Sequence, residues 1–276
     1  MLECVINVSE GRRPEVVAAI AGAAGRHLLD VHCDADHHRS VLTLAGPEVE
    51  QAAFAVVAAA VDHIDLRDHS GAHPRLGAAD VVPFVPLGAS TAAEALGARD
   101  RLVHRVAGEL EVPCFRYGPE RTLPEIRRRA FAQIAPDAGP GRPHPTAGAT
   151  CVGCRPVLVA YNLWLAPPAT FEQARQVAAG LRSRDVRALG LMTGEVVQVS
   201  CNLLAPTVTG PDHVFDAVAA RVEVARAELV GLVPSAVLER IAAARWADLD
   251  LSPAATIEAR LQEAGLDGGR FGGSGP

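Results

Sequence analysis

A loop that places an imidazole and a guanidinium two residues apart is the segment best suited to chemistry. Residues 70–77 read Ser-Gly-Ala-His-Pro-Arg-Leu-Gly and lie between a predicted helix and a predicted strand. Imidazole can accept and return a proton near pH 7, which would be the role of His73. Arg75 can hold a carboxylate through two N–H groups. Spacing alone favours a loop in which His73 only bonds a backbone carbonyl, and the catalytic interpretation stays open beside it.

Two further segments carry groups known from metal and redox sites. Residues 32–39 contain an Asp-x-Asp and a His-His pair, side chains that can bind Zn²⁺ or Mn²⁺. No second cluster with regular spacing accompanies them, so we expect no metal and keep a metal enzyme as an alternative. Cys151 and Cys154 form a single CxxC without a second pair, which favours two small thiols beside a strand.

The segment 135–148 is dense in Pro and Gly and cannot form a regular element. It is either a plain linker or, because ligands prefer domain junctions, one wall of a groove. In the second case Arg142 and His144 would line the groove for a flat ligand that carries carboxylates. The turn at 7–11, after the first predicted strand, could face the same cleft or simply cap a helix.

Composition limits the class of protein. The chain has 276 residues, is 49% apolar and 21% charged, and carries a formal net charge of −6. A chain of this length can bury a large core without disulfides or a metal. The negative charge disfavours binding to nucleic acid or to an anionic membrane. The six Cys residues and the absence of a signal or membrane-spanning pattern predict a cytoplasmic protein.

Hydrophobic patterning predicts an α+β fold made of two ferredoxin-like subdomains in series. The later half reads β-α-β-β-α-β, and the earlier half begins in the same order. We expect helices to cover the sheets and a ligand groove to lie between the subdomains. The expected divisions are an N-terminal subdomain at 1–134, the connector at 135–148, a C-terminal subdomain at 149–265 and a flexible tail at 266–276.

Five ordered motifs make the chain similar to the formiminotransferase family. They are residues 3–11 (ECVINVSEG), 70–77 (SGAHPRLG), 135–149 (APDAGPGRPHPTAGA), 198–204 (QVSCNLL) and 228–234 (ELVGLVP). The resemblance covers roughly residues 2 to 265 and concerns the transferase domain, without the cyclodeaminase domain that some relatives carry. It implies a homodimeric, two-subdomain enzyme that binds a folate in the cleft between its subdomains.

The resemblance also implies an activity and a set of site residues. The family transfers the formimino group of N-formimino-L-glutamate to N5 of tetrahydrofolate, in histidine degradation and one-carbon metabolism. Its catalytic histidine falls on His73, which would act as general base and then general acid. The folate-contacting stretch falls on Gly139, Pro140, Gly141, Arg142, Pro143, His144, Pro145, Thr146, Ala147 and Gly148.

Other residues are candidates for binding by their charge and location. These candidates are Asn7, Ser9, Glu10, Arg39, Arg75 and Arg155. Arginine suits the glutamyl carboxylates of donor and folate. Two alternatives stay open: a related folate-dependent transferase with a different formyl or formimino donor, and a folate-binding protein without catalysis.

Overall fold

The chain forms two compact units in the computed structural model, which describes residues 1–70, 75–194 and 196–267. The first unit is Met1–Pro156 and the second begins at Val157. Within the described residues no helix is both long and apolar enough to cross a bilayer.

In its described residues, 1–70 and 75–156, the first unit contains six strands and four α-helices. The strands are β1 (Leu2–Val8), β2 (Leu28–Asp34), β3 (Arg39–Gly46), β4 (Ala79–Pro86), β5 (Cys114–Tyr117) and β6 (Thr150–Cys154). The helices are α1 (Pro14–Gly22), α2 (Val49–His63), α3 (Ala92–Glu109) and α4 (Leu123–Arg129). Helix starts follow local chemistry, since Pro14 occupies the first turn of α1 and Thr91 with Glu94 forms a capping box on α3.

The first sheet has the order β2-β3-β1-β4-β6-β5. Its first four strands are antiparallel, whereas β6 is parallel to both β4 and β5. Along β1, alternate residues Cys4, Ile6 and Val8 enter the core that α2 and α3 cover, as the two-residue period of a strand requires.

The second unit contains four strands and four helices in its described part. The strands are β7 (Val159–Leu165), β8 (Val186–Thr193), β9 (Val196–Leu203) and β10 (Val224–Val230). The helices are α5 (Phe171–Leu181), α6 (Pro211–Ala219), α7 (Ser235–Leu238) and α8 (Ile257–Glu263). The sheet order β10-β7-β9-β8 is that of the first four strands of the other unit, read in reverse. The prediction of two α+β subdomains in series, each with a ferredoxin-like core, is therefore confirmed.

The division between the units differs from the sequence-based one. The sequence assigned residues from 149 onward to the C-terminal subdomain, but β6 hydrogen-bonds between β4 and β5, with Val82 opposite Val152 and Phe115 opposite Cys151. The reason is that the connector returns the chain to the first sheet before the second unit begins. Leu266, assigned to the flexible tail, is 5% exposed and donates its backbone N–H to Leu261. Residues 268–276 of that tail lie outside the described residues, and the groove between the subdomains stays a prediction.

Candidate functional site

The turn after β1, the segment before β4 and the end of the connector meet at one end of the first sheet. The Ser9 hydroxyl donates to the Gly77 carbonyl at 2.8 Å, and the Ser9 N–H donates to Ala78 O at 2.8 Å. Ala78 N–H in turn donates to Ala147 O at 2.9 Å. The structure therefore joins the HPRxG segment, from Arg75 onward, to the predicted folate stretch and to the first turn.

Two glycines allow the HPRxG segment and the connector to touch. Gly77 and Gly148 form an antiparallel bridge, and Ala149 N–H donates to Leu76 O at 2.9 Å. A Cβ on Gly77 would lie 2.1 Å from Ala149 O, and one on Gly148 would lie 2.2 Å from Leu76 O. Gly148 also has a φ of +68°, where glycine is favoured. The close approach of the two backbones therefore requires glycine at both positions.

The connector is anchored at both ends and exposed in its middle. At one end Asp137 accepts the Arg116 N–H at 2.7 Å and pairs with Arg121 at 2.6 Å. At the other end His144 and Gly148 exchange two backbone hydrogen bonds of 2.8 and 3.0 Å. Residues 139–143, which include Arg142, are exposed between these anchors. A ligand can therefore reach the middle of the connector, whose two ends are fixed by these contacts.

Three of the connector's predicted folate contacts use a side chain or a backbone group in contacts within the protein. The Nδ1 atom of His144 accepts the Ala147 N–H at 3.1 Å, which places the ring proton on Nε2. Ala147 is 1% exposed and belongs to the core. The backbone of Thr146 accepts the Leu66 N–H at 2.8 Å. This half of the stretch supports the site more than it offers surface to a ligand.

Glu10 is a buried carboxylate at the centre of the cluster. Its Oε1 atom accepts the backbone N–H groups of Gly11, Arg12 and Arg13 at 2.9, 2.8 and 3.0 Å. Its Oε2 atom accepts Arg13 Nε at 2.6 Å. Burial raises the pKa of this carboxyl, but the hydrogen bonds from Arg12, Arg13 and His38 lower it by more, to about 2. Glu10 is therefore ionised at neutral pH, and groups of the protein itself bind its carboxylate.

His38 and His69 form a stacked pair beside Glu10. Their ring centroids lie 3.9 Å apart with planes 19° from parallel. His38 Nε2 lies 3.0 Å from Glu10 Oε1, and its Nδ1 lies 3.0 Å from the Ser70 carbonyl. Burial and then the positive charge of Arg75, whose guanidinium contacts the His69 ring, lower the pKa of His69 to about 4. His69 is therefore neutral at pH 7.

The predicted catalytic His73 lies outside the described residues, as do Gly71, Ala72 and Pro74. The residues on either side of it, Ser70 and Arg75, belong to the cluster described above.

A buried aspartate balances the arginines of the site. Asp80 is 2% exposed and accepts Leu76 N–H and Arg127 Nη2, both at 2.6 Å. Burial lowers the pKa of Arg39, while the charges of Asp80 and Asp34 oppose that effect. Burial likewise lowers the pKa of Arg75, and Asp80 again opposes it. Arg39, Arg75 and Arg127 thus share one electrostatic neighbourhood.

Two further predicted binding residues lie on or directly after strands of the first sheet. Arg155 follows β6, and its N–H donates to Phe84 O at 3.2 Å. Because Phe84 pairs with Cys4, Arg155 lies toward the opposite end of the strands from Ser9, and its role in binding a carboxylate stays a prediction. Asn7 lies within β1 opposite Val41, half-buried, on the sheet face that Ile6 and Val8 do not use.

The two metal or redox candidates have other roles in the structure. Asp34 accepts His37 N–H at 2.7 Å and lies 2.6 Å from its Nδ1. Burial raises the pKa of Asp34, but these His37 contacts lower it by more, to about 2. Within 1–70, 75–194 and 196–267, no group of three or more His, Cys, Asp or Glu is arranged to hold a metal. Cys151 and Cys154 are buried on β6, and burial raises the pKa of both thiols.

Four site residues escaped the sequence reasoning: His38 as a partner of Glu10, His69, Asp80 and Arg127. Asp80 had a usable signal, since it is the one charged residue of the otherwise apolar strand β4, at its second position. His38 was noted only as a metal ligand, and its contacts to Glu10 and Ser70 span 28 and 32 residues of chain.

Comparisons with known proteins agree with this arrangement. Residues 1–155 match the family described as the formiminotransferase domain, N-terminal subdomain. The glutamate formimidoyltransferase of Streptococcus pyogenes serotype M1 is 34% identical over 275 residues, which is 88% of this chain and 92% of that protein. The enzyme of the same name from Thermoplasma acidophilum is 35% identical over 282 residues, 88% of this chain and 91% of that protein.

A third relative is longer than this chain. The formimidoyltransferase-cyclodeaminase of Sus scrofa is 36% identical over 273 residues, which is 85% of this chain and 50% of that protein. The chain therefore spans about half the length of that relative.

Proposed function

The chain belongs to the formiminotransferase family, and from this premise we propose that it is a glutamate formimidoyltransferase. It transfers the formimino group of N-formimino-L-glutamate to N5 of tetrahydrofolate, which serves as co-substrate. The observation that carries the proposal is the bridge between Gly77 and Gly148, which places the end of the HPRxG segment in direct contact with the connector. Relatives that bear this name match over most of their own length, not only at the motifs.

The reaction needs a group that moves protons twice. N5 of the pterin, a secondary amine, attacks the amidine carbon of the donor and forms a tetrahedral intermediate. N5 then loses a proton, and the departing glutamate nitrogen gains one as the C–N bond breaks. A single imidazole can take the first proton and deliver the second, and such catalysis contributes about 10²–10⁴-fold.

His73 is the imidazole to which we assign this role. Three described histidines near the loop are committed elsewhere: His38 faces two acceptors, His144 Nδ1 accepts an N–H, and the pKa of His69 is lowered to about 4 by burial and Arg75. A base with so low a pKa removes a proton inefficiently at neutral pH. These commitments favour the remaining imidazole of the motif.

Arginines supply the charge that the substrates require. Formiminoglutamate and the glutamyl tail of folate both carry carboxylates, which Arg binds bidentately. Arg142 is exposed on the anchored connector and has no carboxylate partner within the described part of the chain. Arg39 and Arg75 lie at the turn and at the loop, where Asp80 partly compensates their charge. We propose that Arg142 binds a substrate carboxylate and that Arg39 and Arg75 supply positive charge around the reacting atoms.

We also propose a cytoplasmic homodimer that requires no metal and binds neither nucleic acid nor membrane. The six cysteines are all free thiols, and a reducing compartment would keep them so. The formal net charge of −6 opposes association with polyanions.

The test is turnover with defined donors. The purified protein is incubated with tetrahydrofolate and formiminoglutamate, formylglutamate or formiminoglycine, and the modified folate is identified by mass spectrometry. We expect product with formiminoglutamate. Turnover only with another donor would replace the donor assignment, and folate binding without turnover by any donor would refute the enzymatic proposal.

The mechanism has its own test. His73→Asn should lower kcat by about 10²–10⁴-fold while folate affinity changes by only a few-fold. His63→Asn is the matched control, since His63 is exposed at the end of α2 and should keep full activity. An active His73→Asn protein would show that another group transfers the protons.

A further inference from the structure

The Glu10–His38 pair is a fixed structure that the transfer chemistry above does not use. Glu10 is 1% exposed, and its two oxygens accept hydrogen bonds from three backbone N–H groups and from Arg13. His38 completes this set from the β2–β3 hairpin, with Nε2 at 3.0 Å from Oε1. Because so many hydrogen bonds hold this carboxylate in place, it fixes the position of the imidazole that contacts it.

Both ring nitrogens of His38 face acceptors. Nε2 faces the Glu10 carboxylate and Nδ1 faces the Ser70 carbonyl, each at 3.0 Å. With Nδ1 turned to Ser70 and Nε2 turned to Glu10, neither ring nitrogen is directed at a substrate, and this arrangement suits His38 to holding another segment.

The segment it holds leads into the predicted catalytic loop. Ser70 is three positions before His73, and Arg75 is two positions after it. His38 binds the Ser70 carbonyl and stacks on His69 at 3.9 Å, while Arg75 contacts the His69 ring. The chain on both sides of residues 71–74 is therefore attached to the cluster around Glu10, through His38 and His69.

We propose that His38, held by Glu10, is a positioning residue for the formimino transfer: its Nδ1–H bond to the Ser70 carbonyl fixes the chain that carries His73. The proposal rests on the proposed function. A small displacement of a catalytic group is costly in this kind of chemistry, since about 1 Å can lower a rate by about 10²-fold.

The backbone at His38 supplies a matched pair of variants. Its φ is +50°, a region that Gly and Asn tolerate well. His38→Asn places an amide N–H₂ near the position of Nδ1, so it can still donate to Ser70, while it loses the longer reach to Glu10. His38→Gly loses both contacts without backbone strain. The two variants therefore share the loss of the Glu10 contact and differ in the Ser70 bond.

The first readout is steady-state kinetics with formiminoglutamate and tetrahydrofolate. We expect His38→Asn to keep kcat within about three-fold and His38→Gly to lose about 10–100-fold in kcat, with KM for either substrate changed less than kcat. Equal kcat values in the two variants, whether both high or both low, would overturn the proposal. Should His38→Gly fail to fold, His38→Asp takes its place, because it has the size of Asn and offers an acceptor where Asn offers a donor.

The second readout does not depend on activity. Hydrogen–deuterium exchange of the peptide that spans residues 66–78 should be faster in His38→Gly than in the wild type, and near the wild-type rate in His38→Asn. If the wild type shows no formimino transfer, the proposed function fails, whereas this comparison still decides whether His38 anchors the segment. Unchanged exchange in His38→Gly would refute the anchoring.

Discussion

Replacing Gly148 by Ala tests whether the bridge between the HPRxG segment and the connector is a real constraint. The new Cβ would lie 2.2 Å from Leu76 O, well inside contact distance. At a φ of +68° an alanine also costs about 1–2 kcal/mol. Moving the Leu76 carbonyl away weakens its 2.9 Å hydrogen bond from Ala149, worth about 1 kcal/mol. The lower entropy of the unfolded Ala chain offsets about 0.4–1 kcal/mol, so we expect a net destabilisation of about 1–2.6 kcal/mol.

The measurement is urea unfolding followed by far-ultraviolet circular dichroism, which reports both units. Tryptophan fluorescence reports the second unit separately, because both tryptophans, Trp164 and Trp246, lie there. The same samples are titrated with a reduced folate. If the connector forms the folate site, Gly148→Ala should weaken binding by at least about tenfold, the equivalent of 1.4 kcal/mol.

Gly141→Ala is the control from the same stretch. A Cβ on Gly141 meets nothing within 4 Å, and its φ lies outside the left-handed region. We expect its stability to stay within about 0.5 kcal/mol of the wild type. Equal stability and equal folate affinity in the two variants would refute the idea that the bridge positions the connector.

Two further predictions concern the buried charge of Glu10 and the cysteine thiols. Glu10→Gln should destabilise the protein by about 3 kcal/mol at neutral pH, because Arg13 and His38 lose an anionic acceptor. Hydrogen bonds that outweigh burial lower the folded pKa of Glu10 to about 2. The difference in unfolding free energy between the wild type and Glu10→Gln should therefore persist above about pH 5 and shrink as the pH falls toward 2. Acid unfolding of both proteins measures it, and a difference that stayed constant with pH would contradict the assignment. Cys33, the exposed thiol, should react with a thiol reagent in the native state, whereas the five buried cysteines should react only on unfolding; a second fast thiol would contradict the described core.

The second unit was predictable strand by strand because its pattern is local. In strands β7 to β10, apolar residues alternate with polar ones or follow one another over lengths typical of strands. Helix α5 begins at a capping box formed by Thr170 and Gln173. The first four strands of the other unit follow the same logic. The placement of β6 was not predictable, because parallel pairing joins distant segments and nothing in its five residues indicates which sheet it enters.

The site was predictable in its parts and not in its connections. The HPRxG loop, the Pro/Gly-rich connector and the turn at Ser9 were each recognised from residue types, and three backbone hydrogen bonds join them. The position of Arg155 relative to Ser9 depends on the direction of β6, which the sequence does not show. The role of His38 depends on a φ of +50° and on the Ser70 carbonyl, and a sequence shows neither.

The path of β6 determines where this protein can be divided. A fragment that ended at Ile134 would leave β5 without its hydrogen-bonding neighbour and would expose the edge of β4. Bare edges of this kind pair with other chains, so such a fragment should aggregate when expressed alone. A fragment that ended at Pro156 would keep every strand of its sheet. Attempts to exchange the second half between homologous proteins should therefore join the chains after Pro156, where the cut crosses neither sheet.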